Sequence, residues 1–130
     1  MESMAEKICL DTDMCIAIIN GDSRAEKFRM AAANADLYLS SVTVFELYLR
    51  KTNLEKVTEF LSNFKHAILP LDQNCAIEAS LIYKDLERYG NLLEFRDIFI
   101  ASSSILHNCK LASFNKKHFL KIKGLELLNF

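Results

Sequence analysis

The side chains of this sequence whose types and settings can carry chemistry are Asp11, Glu46, Asp97 and Asn115, with Thr12, Asp13, Glu94 and Ser113 beside them. Asp11 follows directly on the apolar run Ile8-Cys9-Leu10. Ser113 and Asn115 follow Leu111 in the same way. Ser40, Ser41 and Thr43 follow the run at Leu37, and Glu46 comes one helical turn later. Asp97 opens the strongly apolar Ile98-Phe99-Ile100-Ala101, where a carboxylate is poorly solvated unless it lines a cleft. Glu94, three residues earlier, shares its face if the helix already includes that position. Carboxylates drawn together repel, and one pKa rises sharply unless a cation neutralises them. Mg2+ and Mn2+ are hard ions that prefer carboxylate, carbonyl and water oxygens. A pair of such ions can activate a water and stabilise the leaving oxygen of a phosphodiester. A carboxylate cluster without His or Cys ligands therefore points to phosphoryl chemistry with a hard metal.

Positioning those residues requires short strands alternating with helices. Strands are expected at Lys7–Leu10, Leu37–Leu39, Ala67–Leu69, Leu111–Ser113 and Leu125–Leu128. Between them the spacing predicts a helix over Met14–Ile19, started by Asp11 or Asp13 and stopped by Asn20-Gly21, and another over Ala25–Ala35. Thr43–Arg50 reads as helical, and Leu54, Val57, Leu61 and Phe64 keep one helical face apolar. Cys75, Ala79, Ile82 and Leu86 mark a long helix ending near Gly90. A further helix covers Phe95–Leu106, and Asn115 opens a short helical turn. Three glycines and one proline argue against an all-β chain with many tight turns. The pattern is that of an α/β protein, a three-layer α/β/α sandwich with a mainly parallel central sheet. In such sheets the site lies outside the carboxyl ends of the strands, which is where Asp11, Glu46 and Asn115 fall.

With 130 residues and 51% hydrophobic content, one domain over residues 1–130 with a sizeable core is expected. The formal net charge of -1, from 16 basic and 17 acidic residues, does not mark a nucleic-acid binder, so such a role needs a local patch. The one locally basic segment is Lys110 to Lys123, with Lys116, Lys117 and His118 beside Asn115. It reads either as a solvated edge or as a holder of RNA phosphates. Cys9, Cys15, Cys75 and Cys109 form no Cys-x-x-Cys pair and sit among apolar residues, so reduced core thiols are expected. No apolar run is long enough to span a membrane. Met1 to Lys7 lacks the marks of a signal peptide, so a cytoplasmic location is expected.

Each acidic residue also has a plain structural reading. Asp11 and Asp13 are both suited to capping a helix. Thr43-x-x-Glu46 is a capping-box pattern. Asp97 suits the positive end of a helix dipole. Asn115 suits an N-cap before Lys116, and Glu94 a solvated helix position. Leu47, Tyr48 and Leu49 are consecutive apolar residues on one short helix and cannot all face one core. Part of that surface is expected to be covered by a second subunit or a partner peptide.

Four segments in order carry a family resemblance: Cys9-Leu10-Asp11-Thr12-Asp13, Ser40-Ser41-Val42-Thr43-Val44-Phe45-Glu46-Leu47, Arg96-Asp97-Ile98-Phe99-Ile100-Ala101, and Leu111 through Phe119. With the tail Ile122 to Leu127, the chain resembles the PIN-domain family over residues 7 to 128, and within it the toxin subunits of VapBC-type toxin–antitoxin pairs. The resemblance implies a Mg2+- or Mn2+-dependent endoribonuclease. Its metal ligands would be Asp11, Glu46 and Asp97, with Thr12 orienting the first carboxylate or a metal-bound water. It also implies an antitoxin partner and a homodimer. Asp13 stands where the family more often has Asn, and Asn115 where many members carry a fourth Asp. The first departure adds a charge to the site and the second removes one. An RNA-processing nuclease without an antitoxin, and a weakly catalytic binding module, are the alternatives.

Overall fold

The computed structural model describes residues 5–64 and 67–130, so the first four residues of the polar start lie outside it. The described elements are β1 (Lys7–Leu10), α1 (Thr12–Ile19), α2 (Ala25–Ala31), β2 (Asp36–Ser40), α3 (Ser41–Arg50) and α4 (Leu54–Ser62). They continue with β3 (Ile68–Leu69), α5 (Gln73–Arg88), α6 (Phe95–Leu106), β4 (Lys110–Ala112) and α7 (Lys116–Phe119). The strands form one sheet in the order β3-β2-β1-β4, and every pairing is parallel. Ile8 stands opposite both Leu37 and Lys110, and Leu10 opposite both Leu39 and Ala112. The carboxyl ends of β1, β2 and β4 are therefore level.

Alternation along the strands divides the core into two layers. Ile8, Leu10, Leu39 and Ala112 point to one face and pack with Met14, Cys15, Phe28 and Val57 of α1, α2 and α4. Cys9 and Leu111 point to the other and pack with Ala79, Ile82, Leu86, Ile98, Ile100 and Ala101 of α5 and α6. This is the expected α/β/α sandwich. α3 leaves the end of β2 and touches both layers, with Leu47 in the first core and Val42 against the second. All four cysteines are free and buried, as their apolar settings suggest.

Several boundaries differ from the sequence expectation. The helix expected over Ala25–Ala35 stops at Ala31, because Ala32 caps it and Asp36 must already stand opposite Lys7 of β1, its N bonding Glu6 O just before that strand at 2.8 Å. The strand expected at Leu125–Leu128 is reduced to one bridge, Leu111 with Leu127, flanked by bonds from Leu111 N to Glu126 O and from Leu128 N to Leu111 O, both 2.9 Å. β3 keeps two of its three expected residues, though the Ala67 carbonyl still accepts from Leu39 N. β4 runs one residue early, leaving Ser113 in the loop beyond it.

Candidate active site

Asp11 follows β1 and caps α1: its Oδ1 accepts from Met14 N at 2.9 Å, and its own N donates to Ala112 O at 3.1 Å. The Ser113 hydroxyl accepts from Asn115 N at 2.9 Å, and its presence near Asp11 favours the ionised carboxylate. Asp11 is 5% exposed. Burial, the largest influence, raises its pKa to about 7. The bonds from Ser113 and Met14 oppose the rise, and the nearby charges of Asp13 and Asp97 reinforce it. The capping and site readings of Asp11 are thus not exclusive, because one carboxylate reaches the helix amide while facing other acids.

Glu46 does not form the capping box. Ser40, not Thr43, caps α3, its Oγ accepting from Val42 N at 3.1 Å, and Thr43 lies inside the first turn. Glu46 is buried. Its Oε1 accepts from the Thr12 hydroxyl at 2.6 Å, with the Thr43 hydroxyl 3.3 Å from that of Thr12. Its Oε2 is 3.2 Å from Nη1 of Arg96. The first turn of α6 brings Asp97 beside it, half-buried. Desolvation raises the Asp97 pKa first, then the charges of Glu46 and Glu94, while His118 and Arg96 pull it down. Asp11, Glu46 and Asp97, from three elements, therefore share one electrostatic environment at the carboxyl edge of the sheet.

The remaining candidates fall around this centre. Thr12 is buried within it. Asp13 is exposed and paired with Arg50 at 3.2 Å, turned away on the surface, although Asp11 feels its charge. Glu94 precedes α6 without capping it by a side-chain bond, and pairs with Arg96 at the rim. Asn115 is exposed and does not cap α7; its Nδ2 bonds Nδ1 of His118 at 2.8 Å instead. The basic segment is not one patch. Lys110 pairs with Glu6 at 2.8 Å toward the opposite end of β4, Lys116 lies 4.3 Å over the Phe130 ring, and Lys123 lies near Asp85 and Tyr89. Lys117 and His118 remain beside Asn115.

Sequence reasoning missed two members of the site, Thr43 and Arg96. Thr43 was hidden by the capping-box pattern. Arg96 carried a signal of its own, since a cation in the first turn of a helix opposes the dipole and needs another reason to be there.

Among the described residues, no three His, Cys, Asp or Glu side chains are already close enough to hold one ion together. The donor set nonetheless fits a hard cation. It is all oxygen, and burial first, then neighbouring carboxylates, raises the pKa of Asp11 and of Asp97. Mg2+ keeps several of its own waters and needs only one or two protein carboxylates.

A parallel α/β/α sandwich with acidic residues after its first two strands and at the start of a late helix defines a class of fold and site together. The PIN domain family matches residues 8–125, and the chain belongs to that family. It is 29% identical to Ribonuclease VapC2 of Rickettsia felis, over 93% of this chain and 96% of that one. It is 30% identical to Ribonuclease VapC1 of Methanocaldococcus jannaschii, over 98% and 89%. Among solved structures it is similar to VapBC2 from Rickettsia felis bound to a DNA fragment from its promoter, with a TM-score of 0.78 and 27% identity over 95% of this chain and 98% of that chain.

Proposed function

We propose that the chain, as one PIN-like unit over residues 1–130, is a divalent-metal-dependent endoribonuclease and the toxin of a toxin–antitoxin pair. The observation that carries this is that Asp97 lies within electrostatic reach of both Asp11 and Glu46 at the carboxyl edge of the sheet, with Asp11 and Asp97 raised in pKa by burial and by neighbouring carboxylates. The ribonuclease relatives supply the reaction class.

In this reading Asp11, Glu46 and Asp97 hold the ion, Mg2+ or Mn2+. When bound, the ion supplies charge against the phosphodiester and lowers the pKa of water. The chain's own residues prepare for it. The Thr12 hydroxyl fixes one oxygen of Glu46, and the Met14 amide fixes Asp11, so little reorganisation remains. Asn115 offers a neutral oxygen at the rim. Lys117 and His118 beside it suit the backbone phosphates of RNA. His118 need not act as a general base. The partner is an antitoxin protein in the cytoplasm, and two copies of this chain pair; the similar VapBC2 structure is bound to a DNA fragment from its promoter. The exposed Phe45, Tyr48 and Leu49 on α3 are apolar surface suited to a protein partner.

The test is cleavage of a mixed RNA pool with Mn2+ or Mg2+, with EDTA, and with Asp97→Asn. Activity is expected to vanish in EDTA and to fall about a hundredfold or more in the variant. Cleavage that survives the variant would place the chemistry elsewhere. A folded chain that binds RNA but cuts none would favour the binding-module alternative.

A further inference from the structure

Arg96 is the one basic side chain, among the described residues, in an ion pair with any of the three central carboxylates. Its side chain is 48% exposed, while that of Glu46 is 5% exposed, so the guanidinium reaches inward from solvent to a buried acid. Nη1 contacts Glu46 and Nη2 contacts Glu94. Arg96 thus stands at the mouth of the site and not in its floor. Its place in the first turn of α6 is unfavourable for a cation, so local helix stability does not explain it.

A divalent ion on Glu46 would remove the attraction that holds Nη1 there and replace it with like-charge repulsion. The ion pair can yield from its outer side, because the half-exposed guanidinium of Arg96 can exchange Glu46 for water or another anion. Glu94 tethers the other nitrogen at the rim. What is left is a planar fork of N–H donors beside Asp97, and that geometry matches two oxygens of a phosphate.

We propose that Arg96 is a substrate-binding residue. It rests on Glu46 until a metal takes that carboxylate, then turns its guanidinium to a backbone phosphate of the RNA next to the bond being cut. The inference rests on the ribonuclease reading above. It assigns Arg96 two states, a counter-ion to Glu46 and a ligand to substrate.

The experiment compares wild type with Arg96→Gln and Arg96→Lys in two assays. The first is Mn2+ binding without RNA. The second is binding of a labelled mixed-sequence single-stranded RNA in Ca2+, read across a salt series. Arg96→Gln is expected to bind Mn2+ about twofold to fivefold more tightly, since its competitor is gone. The same variant is expected to bind RNA about tenfold more weakly, with a log–log salt slope smaller by about 0.7. Arg96→Lys keeps the charge without the fork, so it should retain the salt slope but recover little of the affinity. A purely structural pair would leave metal-loaded RNA affinity and its salt slope unchanged in both variants, and that result overturns the proposal. Wild-type protein that binds no RNA overturns the nuclease reading together with the phosphate role. Wild-type binding that Arg96→Gln fully retains overturns the Arg96 role alone.

Discussion

Asp11 carries two demands on one carboxylate: an amide of α1 to cap and a negative environment to tolerate. Burial is the stronger influence and holds its pKa near 7, against 3.8 for an ordinary aspartate. In the unfolded chain Asp11 loses its proton near pH 4, and in the folded chain only near neutrality. The folded state therefore binds the extra proton between those values, and the Asp11 contribution to stability falls as pH rises through that window. The full penalty, on the order of 4 kcal/mol, is reached above pH 7. Asp11→Asn keeps an acceptor for Met14 N and removes the charge. In EDTA it is expected to be more stable than wild type at pH 8, with the difference vanishing toward pH 4; urea titrations at the two pH values measure it. A gap that does not change with pH would mean that Asp11 is not the titrating group. The sequence showed that Asp11 could cap or ligate, but not that it would be 5% exposed, which depends on strands distant in the chain. Glu46 was misleading for a local reason. Thr43-x-x-Glu46 fits a capping box only if the helix starts at Thr43, and Ser40 starts it earlier.

The elements legible in the sequence are those with strong local signals. β1, α5 and α6 lie where apolar period and punctuation placed them, with Gly90 in a left-handed conformation (φ 68) after α5. Elements decided by pairing were less legible. α2 ends early because the strand after it is claimed by β1, and alanine propensity does not resist that. Residues Leu125–Leu128 are largely apolar but meet β4 at a single bridge. Capping offers a test at this scale, independent of the chemistry. Asp72 Oδ1 accepts from Cys75 N at 2.9 Å. Asp72→Ala is expected to cost about 1 kcal/mol of stability in chemical denaturation, with Mn2+ affinity unchanged. A loss of metal affinity in that variant would mean that α5 positions the site, which its place beyond α6 does not suggest.

At the scale of the molecule, opposite needs are separated in space. Two apolar layers clamp the sheet, and the buried carboxylates are gathered at its carboxyl edge. A ligand that binds only the folded state stabilises it by mass action, so Mg2+ or Mn2+ at a hundred times its dissociation constant should add about 2.7 kcal/mol, read as a rise in melting temperature that EDTA reverses. No rise would count against Asp11, Glu46 and Asp97 as one ion-holding centre. No described helix is long and apolar enough to cross a membrane. The bridge between Leu111 and Leu127 has a consequence at this scale. β4 is an outer strand of the sheet, and β3, the other outer strand, is only two residues long. Outer strands present unpaired amides and carbonyls, the template on which strands of other molecules add and aggregate. By bonding both backbone groups of Leu111, the segment around Leu127 acts as a cover against self-association through that edge, without itself forming a strand.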